Sequence, residues 1–145
     1  MGDKAKAAAI RSLMKIPYPL RKINVSLSGG QTSAYMAKAI WDGYKDECEI
    51  VFTFANTGQE KKECFDFIQA CSDAFGFPVV WLEADVYHGR RKSTGFTEVT
   101  SETANDTGEP FEEVIKKYGL PNMAYPHCTR ELKINPMKAL SLIHI

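Results

Sequence analysis

Residues 23–36 read Ile-Asn-Val-Ser-Leu-Ser-Gly-Gly-Gln-Thr-Ser-Ala-Tyr-Met. An apolar run with β-branched residues stops at two glycines flanked by hydroxyl side chains, and a helix-compatible pattern follows at once. This order predicts a strand, a tight loop and the N-terminus of a helix. Glycines let backbone N–H groups approach a ligand, and the first helical turn offers unpaired N–H groups at the positive end of the dipole. We therefore expect a bound phosphate at residues 28–33.

The composition is that of an ordinary globular domain. The chain has 145 residues, of which 44% are hydrophobic and 25% charged, so we expect one domain with a real core. Its 18 basic and 18 acidic side chains cancel, so the sequence carries no direct signal for nucleic acid, and a nucleotide would have to be held locally. The sequence contains no apolar run of roughly 20 residues and no signal-peptide core. We expect a cytoplasmic protein without a membrane partner.

The cysteine pattern argues against a disulfide framework and against a metal centre. The four cysteines contain no Cys-x-x-Cys pair, and two of them fall on a predicted helix face. They are Cys48, Cys64, Cys71 and Cys128. We expect reduced thiols and no tightly bound metal.

The first half of the chain predicts three parallel strands separated by helices. Residues 1–22 are interpreted as a helix or flexible tail, and residues 23–145 as a single domain. The first helix, from Ser33, is predicted to turn Met36, Ile40 and Gly43 toward the core, with Tyr35 and Ala39 beside them. Further strands are predicted at residues 50–54 and 79–82, with a helix at 61–75 between them that ends at Gly76. Strands that return after about 25 residues form right-handed βαβ units.

The second half carries weaker signals. Residues 95–103 predict an edge strand or hairpin arm, residues 111–118 predict a helix ended by Gly119, and residues 121–126 a loop. The basic triplet at 90–92 is interpreted as a solvated loop in preference to a phosphate contact. Residues 128–133 predict one or two helical turns, and Asn135 with Pro136 predicts the start of a last helix from Met137.

The glycine loop differs from two common phosphate motifs. A Walker A loop needs a second glycine and a lysine, and a dinucleotide fingerprint needs GxGxxG. The loop instead resembles the PP-loop, the SGGxxS signature of the ATP pyrophosphatase and phosphoadenosine phosphosulfate (PAPS) reductase superfamily. The resemblance implies that Ser28, Gly29, Gly30 and Ser33 cradle the phosphates, and Gln31 and Thr32 of the same loop are further candidate nucleotide-binding residues. The alternative is a Ser/Gly turn that caps an ordinary helix, with Ser33 or Thr32 as the N-cap.

Later blocks extend this resemblance. Residues 54–60 are similar to the strand-two motif of PAPS reductase-like proteins, in which Asn56, Thr57 and Gly58 would lie beside the nucleotide. Taken alone, these three residues equally suit a turn chosen for backbone reasons. Segments at 108–111, 120–122 and 128–133 resemble later blocks of small, often phage-encoded members. The resemblance implies a three-layer α/β/α fold of the adenine nucleotide α-hydrolase-like (HUP) type, with a mostly parallel sheet in the order 3-2-1-4-5, and a chain that is short at its C-terminus.

The implied function is adenine-nucleotide chemistry on one of two substrates. One is ATP, cleaved between the α and β phosphates with Mg²⁺ bridging them; the other is adenosine phosphosulfate or PAPS. The Glu-Cys-Gly-x-His segment that carries the redox cysteine of PAPS reductases is absent, which argues against the reductase step. The alternative is a non-catalytic nucleotide-binding or assembly module that needs a partner.

Catalytic candidates come from the block near residue 130. They are Cys128, Arg130 and Lys133, and together with His127 the two cations could supply the charge that a lysine-free loop lacks. The alternatives are a packed thiol and an exposed helical turn. A homodimer is a further expectation, because only three strands are clear and the chain closes on Leu142-Ile143-His144-Ile145. The last helix could instead fold back over the sheet and close the domain alone.

Overall fold

The computed structural model describes residues 22–144 and, before them, only Ala5, Ala9 and Ser12, which are helical. The rest of the predicted N-terminal helix or tail lies outside the described residues. The elements are β1 (Lys22–Leu27), α1 (Gln31–Tyr44), β2 (Glu49–Asn56), α2 (Lys62–Phe75), β3 (Val79–Asp85), β4 (Gly95–Val99), α3 (Glu109–Tyr118), an α-helical turn (His127–Thr129), a π-helical turn (Arg130–Ile134) and α4 (Asn135–His144).

The first three strands form the parallel sheet that the sequence predicts. β1 pairs with β2 in a register that places Leu27 beside Phe54, and β2 pairs with β3 so that Asn56 lies beside Glu83. The carboxyl ends of the three strands therefore meet at one edge of the sheet. The prediction of parallel βαβ units is confirmed.

The strand order corrects the expectation of 3-2-1-4-5. Within residues 22–144 the order is β1-β2-β3-β4, and β4 pairs antiparallel with β3, with Trp81 opposite Val99. The 3-2-1 part agrees, but no described strand lies on the other side of β1. Only residues 86–94 separate β3 from β4, and a parallel crossover needs a dozen residues or more, so the chain must turn back. Residues 95–99 are thus both the edge strand and the hairpin arm that were predicted within 95–103, since β4 lies at the edge of the sheet and pairs antiparallel with β3.

One face of the sheet packs on α1 and α2. Phe52, Phe54 and Trp81 project to this side, and Phe52 stacks on Phe77 at a ring-centroid distance of 4.0 Å. The prediction for α1 is partly wrong. Ile40 and Gly43 are buried as expected, but Tyr35 is 78% exposed and Met36 is also exposed. The buried positions near the start of α1 are Ala34 and Ala37, which carry no bulk and let the helix approach the sheet closely.

The opposite face carries α3, the π-helical turn and α4. Ala84 of β3 packs here with Val114 and Leu132, and Leu140 of α4 is also buried. Helices therefore flank the sheet on both sides, which is compatible with a three-layer α/β/α class. Because Ala84 and Trp81 sit on opposite faces of β3, that strand is covered twice, as a parallel strand in an α/β protein should be.

Asn135 does not cap the start of a separate last helix, because α4 continues directly from the helical turns that begin at His127. The chain is helical from His127, and Asn135 has helical φ and ψ, so it donates its amide to Glu131 in place of capping a new helix. Pro136 lacks an N–H and its ring would clash with the carbonyl four residues earlier in a regular helix. The π-helical turn just before it widens the spiral at that point and accommodates the ring.

α4 does fold back onto the sheet, although its tip remains open. Leu140 is 1% exposed against the sheet, whereas Leu142 is 78% and Ile143 70% exposed. The homodimer stays a prediction. Within the part of the chain that the structure describes, no helix has the length and apolar character needed to cross a membrane.

Candidate functional site

The glycine loop lies at the carboxyl edge of the sheet, between the end of β1 and the start of α1. Gly29 has a φ of +80°, which favours glycine, and a Cβ built on it would lie 2.0 Å from the Sγ atom of Cys64 in α2. The Cys64 side chain of α2 therefore packs directly against Gly29 and leaves no room for a side chain there. Gly29 is required by the fold of the loop, whether or not a ligand binds.

Two serines hold the loop closed on itself. The Ser28 N–H and the Ser28 hydroxyl both donate to Ser33 Oγ at 3.1 Å, and the Ser33 hydroxyl donates to the Gly30 carbonyl at 2.8 Å. These bonds join the end of β1 to the first turn of α1. The serines of the SGGxxS pattern thus shape the loop through each other.

The start of α1 is open. Gly30 is its N-cap with extended φ and ψ, no side chain among the described residues caps the helix, and Gln31 and Thr32 are exposed. The alternative of a Thr32 or Ser33 N-cap is therefore wrong. A Cβ on Gly30 would meet nothing closer than Ser28 Oγ at 3.7 Å. The first turn of α1 thus has no side-chain cap, and the unpaired N–H groups and positive dipole end of such a turn are features that favour an anion.

The neighbouring Asn56-Thr57-Gly58 segment is closed. Asn56 is 0% exposed; its amide nitrogen donates to Glu83 Oε1 and to the Asn105 carbonyl, both at 2.7 Å, and its Oδ1 accepts from the Gly58 N–H. Thr57 is 7% exposed and its hydroxyl donates to Glu60 at 3.4 Å. The side chains of Asn56 and Thr57 are thus used inside the protein. The nucleotide contacts predicted for Asn56, Thr57 and Gly58 stay a prediction.

This turn is packed by the block at 108–111. A Cβ on Gly58, whose φ is +77°, would lie 2.8 Å from Pro110 Cδ and 3.2 Å from Gly108 Cα. Gly108, with a φ of +87°, leaves equally little room beside the Gln59 amide. The structure therefore brings together two blocks that lie 50 residues apart in the sequence. Both glycines are needed for close backbone packing.

Lys133 reaches the same edge from the π-helical turn. Its Nζ lies 3.9 Å from Oε1 of Glu60, in the connection between β2 and α2. Burial raises the pKa of the Cys64 thiol, and the Glu60 carboxylate raises it further, whereas the Lys133 charge opposes this. Lys133 therefore acts electrostatically on the thiol that packs against Gly29. Of the catalytic candidates, Lys133 is the one whose contacts lie beside the loop.

The other candidates have contacts elsewhere. Arg130 bonds to Glu131 at 2.7 Å and to His127 at 3.1 Å, and its guanidinium lies over the ring of Tyr118. Cys128 packs beside the small cluster around Val114 on the opposite face. This is the packed-thiol alternative, and the structure brings neither side chain into contact with residues 28–33.

Glu131 is a buried carboxylate that the sequence analysis missed. It is 3% exposed and accepts hydrogen bonds from Thr94, from Arg130 at 2.7 Å and from Asn135 at 3.1 Å. Burial by itself raises its pKa, but the three hydrogen bonds and the positive charge of Arg130 together outweigh burial and hold the pKa below its ordinary value. Glu131 thus ties the segment before β4 to the π-helical turn that carries Lys133. A proline five residues later was the one available sign of a disturbed helix.

The thiols and acids of residues 22–144 form no metal centre. All four cysteines are free, and no group of three His, Cys, Asp or Glu side chains in this part of the chain is placed to hold an ion. The absence of a tightly bound metal in the protein stays a prediction.

Comparison with known proteins gives one phage relative and no family. No protein-family model matches the sequence. The chain is 28% identical over 115 residues to the uncharacterized nin region protein ORF290 of Escherichia phage lambda, a match that covers 77% of this chain and 40% of that protein. The chain thus spans less than half of the relative's length. This similarity links the chain to a phage protein and leaves the PAPS reductase-like resemblance as a prediction.

Proposed function

We propose that the protein binds an adenine nucleotide with its phosphates at residues 28–33. The observation that carries this proposal is the uncapped start of α1, with open space beside Gly30 at the carboxyl edge of a parallel sheet. Ligands of open α/β sheets bind outside this edge, and phosphates bind at helix N-termini. The preference for adenine rests on the resemblance of the loop to the PP-loop.

Lys133 supplies the cation that the loop itself lacks. In the structure it is held at 3.9 Å by Glu60, a separation at which two partly exposed groups attract each other weakly. A phosphate at Gly30 competes with Glu60 for this ammonium. The loop N–H groups and Lys133 together neutralise phosphate charge, and the same N–H groups stabilise a pyrophosphate leaving group if ATP is cleaved between its α and β phosphates.

One carboxylate beside the phosphate loop is placed to help bind Mg²⁺. The ion commonly binds through substrate phosphates, waters and one or two carboxylates. Glu60, hydrogen-bonded to Thr57 and partly exposed, is the carboxylate at this edge that would hold it. Bridging the phosphates is the chemistry that the ion would supply.

A second candidate function is nucleotide binding without turnover. It is favoured because two of the predicted catalytic side chains already have partners within the protein. Arg130 is hydrogen-bonded to Glu131, and Cys128 packs against the cluster around Val114. Such a module would present a bound nucleotide to a partner. The phosphosulfate nucleotides remain alternative ligands of the same loop.

The test is binding and turnover in a Gly30→Val variant. Calorimetry with ATP, adenosine phosphosulfate and PAPS should show at least a tenfold loss of affinity relative to the wild type, because the added atoms fill the space beside the open N–H groups. Ala70→Val adds bulk at an exposed position of α2 and is the matched control. Unchanged affinity for all three nucleotides in the Gly30 variant would exclude the site. With labelled ATP and Mg²⁺, release of AMP and pyrophosphate indicates the enzyme, and binding alone indicates the module.

A further inference from the structure

Three aromatic rings form a column on the surface beside α3. The rings of Tyr118 and His127 stack with centroids 5.3 Å apart and planes 19° apart, and Tyr125 continues the stack on His127 at 6.0 Å and 13°. The last ring, that of Tyr125, is 63% exposed. A nearly parallel stack with a solvent-exposed ring at its end offers a platform on which a further flat ring can stack.

Two cations lie over the Tyr118 ring of this column. The Lys117 Nζ lies 4.9 Å from the centre of the Tyr118 ring, and the Arg130 guanidinium lies 5.6 Å from it. Lys117 also donates to the Lys92 carbonyl at 2.9 Å, which joins α3 to the turn at residues 87–92. The ring column is therefore continuous with the basic triplet of that turn.

The turn at 87–92 repeats the combination of an aromatic ring and cations. Tyr87 is 47% exposed, and the Lys92 Nζ lies 5.9 Å from its ring centre. Arg90 and Arg91 are exposed. Among residues 22–144, no acidic side chain lies within ion-pairing distance of Arg90, Arg91 or Lys92. Three cations thus lie together in this turn, whose His88 contacts the Glu113 carboxylate of α3 at 2.6 Å.

Arg91, in the same turn, has an unusual backbone conformation. Its φ is +60°, and it is the one residue other than glycine with a positive φ in the part of the chain that the structure describes. This conformation is unfavourable for arginine, which has a Cβ, and glycine would adopt it without strain. An arginine at this position is therefore strained, and its side chain is exposed to solvent.

We propose that the ring column and the 87–92 turn together bind single-stranded nucleic acid. Bases stack on Tyr125 and Tyr87, and phosphates contact the cations between them. Exposed aromatic rings interleaved with lysines and arginines are the usual features of a single-strand site. The two exposed rings are linked through contacts that run over His127, Tyr118, Lys117 and Lys92. A strand has the several bases needed to stack on both rings, whereas a mononucleotide has one. The proposal stands on different residues from the phosphate loop and does not depend on it.

Fluorescence anisotropy with a labelled oligothymidine tests the proposal. The oligonucleotide should have about 20 nucleotides, which exceeds the roughly 4–16 that known single-strand modules cover. Tyr125→Ala should weaken binding roughly tenfold, since it removes one stacking platform. Tyr35→Ala, at an exposed tyrosine on α1, is the matched control and should leave binding unchanged.

Salt dependence measures the phosphate contacts. The double variant Lys92→Gln with Lys117→Gln should lower the steepness of log affinity against log salt by about 1.4, because each contact to a single strand contributes about 0.7. Lys45→Gln, at the C-terminal end of α1, should leave the slope unchanged. Arg91→Gly should weaken binding while maintaining or raising the thermal midpoint, a combination that loss of folding cannot produce.

Three outcomes would overturn the proposal. The first is no binding of the strand, and the second is binding that neither Tyr125→Ala nor the double lysine variant changes. The third is displacement of the strand by ATP together with loss of strand binding in Gly30→Val, which would place the strand at the phosphate loop. Retained strand binding in Gly30→Val supports the separate surface, whatever that variant does to ATP.

Discussion

The glycine loop at residues 28–33 and the Asn56-Thr57-Gly58 turn follow neighbouring parallel strands, yet they differ in what their polar groups contact. In the loop, Gly30, Gln31 and Thr32 are exposed, and no side chain caps α1. In the turn, Asn56 is fully buried and its amide is bonded on both sides. Both segments have glycines and small polar residues, and for this reason the sequence predicted nucleotide contacts for both. The difference indicates that the loop is available for a ligand, whereas the turn maintains the edge on which the ligand would lie.

The largest effect is expected at Asn56. Asn56→Ala removes three hydrogen bonds and leaves the Asn105 carbonyl and the Glu83 carboxylate short of a donor. We expect a loss of about 3 kcal/mol in the free energy of unfolding, because each buried group left unpaired costs roughly 1–3 kcal/mol. Urea unfolding measures it, with Thr32→Ala in the open loop as the control. A change below 1 kcal/mol would mean that Asn56 is not structural, and a ligand role would regain weight.

The glycines of the two segments should separate stability from binding. Gly58→Ala forces a Cβ to within 2.8 Å of Pro110 at a φ of +77°, so we expect a loss of about 2 kcal/mol. Position 30 has an extended backbone and room for a Cβ. We therefore expect Gly30→Ala to leave the free energy of unfolding within about 0.5 kcal/mol of the wild-type value. Denaturation of both variants, with calorimetric titration of ATP into the Gly30 variant, is the measurement. Equal destabilisation by the two substitutions would contradict the contrast between open loop and closed turn.

The strands and helices were predictable because their signals are local. The apolar run of β2 and the glycine after α2 decide their structure within a few residues. The strand order was less accessible, because it depends on where residues 95–99 dock. About twelve residues separate the predicted strands at 79–82 and 95–103, which left a parallel crossover possible.

The candidate site was predictable only in part. The loop was located by its glycines, but the closed state of Asn56 depends on Asn105 and Glu83, which lie far away in sequence. The burial of Glu131 likewise depends on Thr94, 37 residues earlier. A single sequence does not show such pairings, so a polar residue after a strand can be assigned to a ligand or to the fold with equal justification.

Glu131 extends the comparison to the segment that carries Lys133. Its pKa is lower folded than unfolded, so its ionised form stabilises the protein above the unfolded value of about 4.3. This stabilisation is lost as the pH falls through the lower, folded pKa. Glu131→Gln should therefore be less stable than the wild type at pH 7, and the difference should shrink as the pH falls below about 4. Urea unfolding at several pH values measures it; a difference that is constant with pH would show that the charge of Glu131 contributes nothing.

The smallest effects on stability, and the sharpest on function, are expected at the pair that joins the two segments. Lys133 and Glu60 are partly exposed and 3.9 Å apart, so breaking the pair should change the free energy of unfolding by less than about 1 kcal/mol. Lys133→Met should weaken ATP binding, because it removes the cation that we propose pairs with the phosphates. Glu60→Gln should strengthen Mg²⁺-free binding a few-fold, because it releases the same cation from its carboxylate and removes a negative charge beside the phosphates. Calorimetry at low salt gives both constants, and Lys38→Met, which breaks the Lys38–Asp42 pair on α1, is the control. Shifts of the same sign in the two variants would show that Lys133 serves the turn and not the ligand, since loss of a purely structural ion pair acts alike from either partner.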